Sequence, residues 1–336
     1  MGGPTFDAPE EMPEALLVAS NAMTGLARAV RTVVRRCLAV APAENVLVVV
    51  DEPLQDVGEA LRREAQDAQA DAVLAVMSPR ENHGVEPPPP IAEAFAACDV
   101  FIAPTSRSLS HTQARKRATD NGARGATMPT VTADMLSRLM DVDFDVLAAR
   151  SRAVTELLTS ADQAHVTCPR GTDLRLDLTG RQGVSDDGDL TKPGSFGNLP
   201  CGEGFVAPVS GEGTVATRSL ASIGLVQGHP AHLTIEGGHL TKATGPEGER
   251  LHALLTGAGD QGTNLAELGV GTNDRAQLTG NILEDEKILG TIHVAFGASA
   301  GIGGTVAVPI HLDVVVTDAT LTIGDTAVLD AGHYVL

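Results

Sequence analysis

Aromatic side chains are nearly missing from this chain: its 336 residues include no Trp, one Tyr and seven Phe. Stacking platforms for single-stranded nucleic acid are therefore excluded, and the core has to be built from Ala, Val, Leu and Ile. Basic residues are also scarce. The chain carries 24 Lys and Arg against 43 Asp and Glu, a net charge of −19, so most of the surface repels a phosphate backbone. Lysine occurs only at positions 116, 192, 242 and 287. No run reaches about eighteen uninterrupted apolar residues, which excludes an obvious membrane span. The four cysteines, Cys37, Cys98, Cys168 and Cys201, form no Cys-x-x-Cys pair and read as free thiols of a reducing, cytoplasmic compartment. The acidic start, MGGPTFDAPEEMPE, is the opposite of a signal peptide, and Phe6 stands where a myristoylation signal needs Ser or Thr.

What is present is a globular composition, 43% hydrophobic and 20% charged, in a chain long enough for two domains. Residues 14–40 place apolar side chains at helical spacing. Apolar runs then alternate with amphipathic segments. NVLVVV (45–50), DAVLAVM (71–77), DVFIAP (99–104) and ARGATM (123–128) read as strands. Residues 57–70, the segment IAEAFAA, and residues 110–121, 133–140 and 144–160 read as helices. That alternation predicts a doubly wound parallel sheet covered on both faces. Beyond about 160 helical periodicity fades, Gly and Thr rise, and short strands dominate, with one helix over 246–257. The expectation is an α/β domain over 1–160 followed by a β-rich domain over 161–336 that holds the chemistry.

The most specific local pattern is VPIHLDVVV. On a strand, residues i and i+2 share a face, so His311 and Asp313 project together while Ile310 and Leu312 enter the core. Such a pair is either hydrogen-bonded to itself or gripping a cation, because an unpaired buried charge costs several kcal/mol, on the order of the buried-ion penalty. TIHVAFG places His293 on a second strand, one hairpin away across GASAGIGG. Glu203 in LPCGEGFVAPV and Glu267 in NLAELGVGTN are carboxylates beside glycines, which permit close approach to a ligand but also mark ordinary turns. Together the five side chains are enough for two metals with one carboxylate bridging, and metals roughly 3.5–4 Å apart activate water and polarise a carbonyl. Three further residues are candidate substrate contacts. His111 and Arg115 share a predicted helix face with Ser108 at the end of a parallel strand. Lys287, in the run EDEK, is either a solvated turn charge or a group near the His293 strand.

The ordered blocks GEGFVAPV, NLAELGVGTN, LEDEKILGTIHVAFG and VPIHLD resemble the C-terminal part of the M29 metallopeptidases, the aminopeptidase T and aminopeptidase S group. SLSHTQARKRATDNGARGATMP (108–129) is similar to its shorter branch labelled leucyl aminopeptidase. The resemblance implies metal ligation by Glu203, Glu267, His293, His311 and Asp313, with Glu267 bridging and Glu203 or Glu267 handling the proton. It further implies two divalent ions (Zn, Co or Mn), a peptide or other small-molecule substrate losing its N-terminal amino acid, and a homodimer. Peptidase members carry a tyrosine after the matched histidine, whereas residues 294–310 contain none. A related branch, the 2,5-dihydroxypyridine 5,6-dioxygenases, uses one iron held by two histidines and an aspartate, and His293, His311 and Asp313 are candidates for that set. A third alternative is a metal-binding relative without catalysis.

Overall fold

The computed structural model describes residues 24–336. The first part of the expected 14–40 helix lies outside the described residues. Its later part is helical from residue 24 and ends in a π-type turn, Thr32–Cys37, that buries Val33, Val34 and Cys37.

Five parallel strands follow the spatial order Asp71–Met77, Asn45–Asp51, Val100–Thr105, Arg124–Pro129, Phe196–Asn198. The inner strands Asn45–Asp51 and Val100–Thr105 are buried almost throughout, as continuous Val and Ile runs require when helices cover both faces. The edge strand Asp71–Met77 is partly exposed. Phe196–Asn198 was not anticipated. It lies well beyond residue 160, yet pairs with Arg124–Pro129 and returns the chain to the first sheet. With so few aromatics, ring packing is local: Phe95 meets Phe101 edge-on at 5.3 Å, and Phe101 stacks on Phe196 at 6.3 Å.

The long helix Phe144–Ser160, capped by the Asp143 carboxylate, leads into two antiparallel sheets. One has eight strands. The other has seven, in the order Gly224–Leu225, Ser219–Leu220, His311–Val316, Ile292–Gly297, Leu265–Gly271, Glu203–Val206, Val184–Asp186. A shared aliphatic core lies between them, with Leu174, Val215, Leu233 and Leu321 from the first and Leu268, Val294, Phe296 and Val314 from the second. The architecture is therefore α/β joined to a mainly β half.

Two expectations need correction. The helix expected over 110–121 is shorter, Gln113–Asp120, because Thr112 ends the preceding turn and its hydroxyl accepts from the Arg115 N–H at 3.3 Å. Ser108 and His111 therefore sit before the helix and share no face with Arg115. The segment around Glu267 is not a turn but the central strand Leu265–Gly271, whose glycines hid it.

Arg124 ties the first sheet to the loop after the N-terminal helix. Its Nε donates to the Leu38 carbonyl at 2.7 Å, and its guanidinium bonds both Glu44 oxygens at 2.8 Å. Hydrogen bonding to Arg124 holds Glu44 below its ordinary 4.5. Because that pKa is depressed on folding, the pair's stabilisation is complete above the ordinary value and fades as pH falls through the depressed one. Arg124→Leu is expected to cost on the order of 3 kcal/mol at neutral pH, the loss of one partner of a largely buried pair. Urea unfolding measures this, and the deficit should shrink in acid; a loss under about 0.5 kcal/mol would contradict the assignment.

Candidate metal centre

Four adjacent strands of the seven-stranded sheet each present polar side chains on the face turned away from the shared core. Pairing places Gly271 opposite Glu203, Gly269 opposite His293, Ala295 opposite both Glu267 and Asp313, and Gly297 opposite His311. Since side-chain direction alternates along a strand, Glu203, Glu267, His293, His311 and Asp313 all rise from one face. A bulge between Leu265 and Glu267 lets Leu265 pair with core Phe296 while Glu267 keeps to the polar face. The residues between them are Gly or Ala, which leaves room above the sheet. At Gly269 that room is essential, because a Cβ there would run into the His293 imidazole.

The five side chains converge. His293 Nε2 lies 3.2 Å from Glu203 Oε2 and 3.3 Å from Glu267 Oε1. His311 Nε2 lies 3.3 Å from Glu267 Oε2 and 3.6 Å from Asp313 Oδ1. Glu267 thus stands between the two imidazoles, one oxygen toward each. Two sets of donor atoms, Glu203–Glu267–His293 and Glu267–His311–Asp313, each lie within 4.8 Å of one another. Among the described residues, no such set contains both histidines.

Lys287 lies at the same site in an unexpected role. It is fully buried and unable to reach a substrate, with Nζ 2.5 Å from Glu203 Oε1, 2.8 Å from Glu286 Oε1 and 3.5 Å from Asp186 Oδ2. The EDEK run is no solvated turn: Glu284 pairs with Arg138, Asp285 accepts from the Ser219 hydroxyl, and all four residues are buried. Asp186 and its neighbour Glu286 belong to the site environment. Asp186 was invisible in the sequence because SDDGD looks like any exposed acidic loop.

Three carboxylates therefore contact one ammonium, and Glu267 and Asp313 beside the imidazoles make the cluster five. Burial pushes Asp186 up to about 7 and Glu286 up to about 8 despite Lys287 beside both. Burial also opposes ionisation of Glu203, but Lys287 and then His293 draw it below the ordinary value. Burial disfavours charge on His293 and His311, yet the facing carboxylates raise both imidazoles well above the usual range. Two divalent cations would supply the four positive charges this cluster lacks, displacing those protons. Glu203 Oε2 and His293 Nδ1 are buried without a hydrogen-bond partner, and the oxygen and imidazole donors suit zinc, manganese or iron. The donor set fits cations.

The other expected residues lie nearby or apart. His111 is at the mouth, its ring centroid 6.2 Å from that of His311. Surrounding protein, then His311 and Arg115, lower its pKa to about 4, so it is neutral at neutral pH. Arg115 is engaged internally: Nε donates to the Ser110 carbonyl at 2.7 Å, and the guanidinium stacks on Phe196 at 4.1 Å. The lone tyrosine, Tyr334, is remote from the cluster's bonds, its hydroxyl 3.5 Å from the Arg150 carbonyl. Cys201 packs in the core of the α/β half, with Leu199 and Leu147, and burial raises its thiol well above the ordinary value.

Residues 26–336 match the family described as NicX: 2,5-dihydroxypyridine 5,6-dioxygenase. The chain belongs to this family. Its fold is similar to that of 2,5-dihydroxypyridine dioxygenase from Pseudomonas putida KT2440, with a TM-score of 0.77 at 21% identity over 92% of this chain and 96% of that one. It is also similar to wild-type AmpT from Thermus thermophilus, with a TM-score of 0.68 at 18% identity over 94% of this chain and all of that one. No curated protein sequence matches it significantly. Among the described residues, no helix is long and apolar enough to cross a membrane.

Gly269→Ala is expected to displace the His293 imidazole and lower bound divalent metal by about half, since one of the two candidate donor sets loses its nitrogen. Elemental analysis alongside far-UV circular dichroism checks this; full metal content in a folded variant would remove His293 from the site.

Proposed function

We propose that this protein is a metal-dependent hydrolase that cleaves an amide bond in the manner of an aminopeptidase. The observation that carries the reading is the Glu267 carboxylate set between two imidazoles, each with a second carboxylate of its own. Residues Glu203, Glu267 and His293 would hold one divalent ion, and Glu267, His311 and Asp313 the other. When bound, such a pair supplies Lewis acidity toward a carbonyl and acidifies a water. The likeness to AmpT supports the same reading at the level of fold.

The chain's own residues do the positioning. Lys287 holds Oε1 of Glu203, leaving Oε2, 3.2 Å from His293 Nε2, turned into the site as the oxygen that would hold the ion there. His311 donates from Nδ1 to the Ala298 carbonyl at 2.7 Å, which fixes the tautomer with Nε2 free. Neutral His111 at the mouth offers one donor and one acceptor to a polar group of the substrate. No tyrosine of residues 294–310 assists, so substrate orientation rests on these groups.

A second reading, ring cleavage by dioxygen at a single iron held by His293, His311 and Asp313, is favoured by the NicX family match. The two differ in metal content and in what is consumed. The hydrolase reading expects about two divalent ions per chain, release of amine from aminoacyl amides, and no oxygen uptake with 2,5-dihydroxypyridine. Glu267→Ala should lower that hydrolysis at least about 100-fold, because both positions lose a ligand. One iron per chain with oxygen uptake on the dihydroxypyridine would replace the hydrolase by the dioxygenase.

A further inference from the structure

The two donor sets are built differently, on three independent counts. The first is orientation of the nitrogen ligand. His311 is held from behind by its Nδ1 bond to the Ala298 carbonyl, whereas His293 Nδ1 is buried with no partner, so nothing anchors that ring from behind. A ligating histidine anchored through its other nitrogen typically binds metal about 10–100-fold more tightly than one without that support.

The second is competition for the carboxylate. Glu203 gives Oε1 to the Lys287 ammonium at 2.5 Å, and that positive charge stands directly behind the Glu203–Glu267–His293 position. No lysine or arginine forms an ion pair with Glu267 or Asp313 among the described residues. The third is depth. Glu203 and His293 side chains are 8% and 1% exposed, while His311 and Asp313 retain 17% and 14%. A cation entering the deeper position surrenders more of its water, and it passes the shallower one on the way.

We infer that the two positions are unequal and fill in order, with the Glu267–His311–Asp313 position taking a divalent cation first and tightly. The Glu203–Glu267–His293 position is the weaker, exchangeable one. This inference rests on the reading that cations occupy the cluster, and it deepens that reading by assigning a rank to each residue. Lys287 is then a positioning residue with two effects: it aims Glu203, and it keeps the inner position from trapping its ion.

The test is calorimetric titration of the full-length, metal-free protein with Mn²⁺ or Zn²⁺ alone. Two steps are expected, separated at least about 10-fold in Kd. Glu203→Gln should abolish the weak step and leave the tight one within about threefold, while Asp313→Asn should abolish the tight step. Both substitutions preserve side-chain shape, and thermal unfolding confirms folding before titration. Two ions of indistinguishable affinity, or loss of the tight step in Glu203→Gln, would overturn the inference. If only one ion ever binds, the two-ion hydrolase reading fails, and the same variants together with His293→Ala still decide the ranking. Loss in Asp313→Asn with binding kept in His293→Ala upholds the tight outer position, and loss in Glu203→Gln or His293→Ala overturns it.

Discussion

Burying carboxylates in a protein interior is tolerated only if positive charge comes with them, and here the fold brings too little of its own. Glu203, Glu267, Asp313 and Asp186 gather on one face of a sheet whose opposite face is aliphatic core, and Lys287 reaches Glu203, Asp186 and Glu286 there. Burial favours protons on Asp186 and Glu286, the facing carboxylates favour protons on the histidines, and cations would replace them. The surrounding features follow from this constraint: small residues between the ligands, a bulge that turns Glu267 to the polar face, and a lysine with no route to solvent.

The two halves of the molecule divide the work. The antiparallel sandwich is rigid because its core is continuous across both sheets, and that rigidity holds ligands from four strands in register. The parallel sheet contributes the rim. Its strand Val100–Thr105 leads into the turn that carries His111 to the mouth, and the buried Asp51 carboxylate steadies that turn's start by accepting from Ser106 N–H at 2.7 Å. The return of Phe196–Asn198 to the parallel sheet, five residues before Glu203, couples the two halves where the candidate metal cluster begins.

Much of this was legible in the residues. Apolar runs alternating with helices gave the parallel sheet, because strands buried on both faces must be continuously hydrophobic. The His-x-Asp pair and the strand histidine before it were readable because alternation on a strand is strict. The carboxylates were harder. Glu267 lies in LAELGVG, where two glycines erase the strand signal; Gly269 clears space for the His293 ring, and Gly271 lets the Ile288 backbone approach. For Lys287 and Glu286 the residues left open a solvated turn or a role beside the His293 strand, since local pattern carries no trace of a long-range burial partner such as Asp186, about a hundred residues earlier in the chain. The helix face proposed for Ser108, His111 and Arg115 failed for a local reason, the Thr112 cap that starts the helix two residues after Ser110.

The central claim is that Glu267 bridges two cation positions. Anomalous diffraction from crystals of the full-length protein grown with Mn²⁺ or Zn²⁺ tests it directly. The account predicts two peaks, one on either side of the Glu267 carboxylate, the outer beside His311 and Asp313 and the inner beside His293 and Glu203. A single peak ligated by His293, His311 and Asp313 together, with Glu203 and Glu267 turned away, would contradict it.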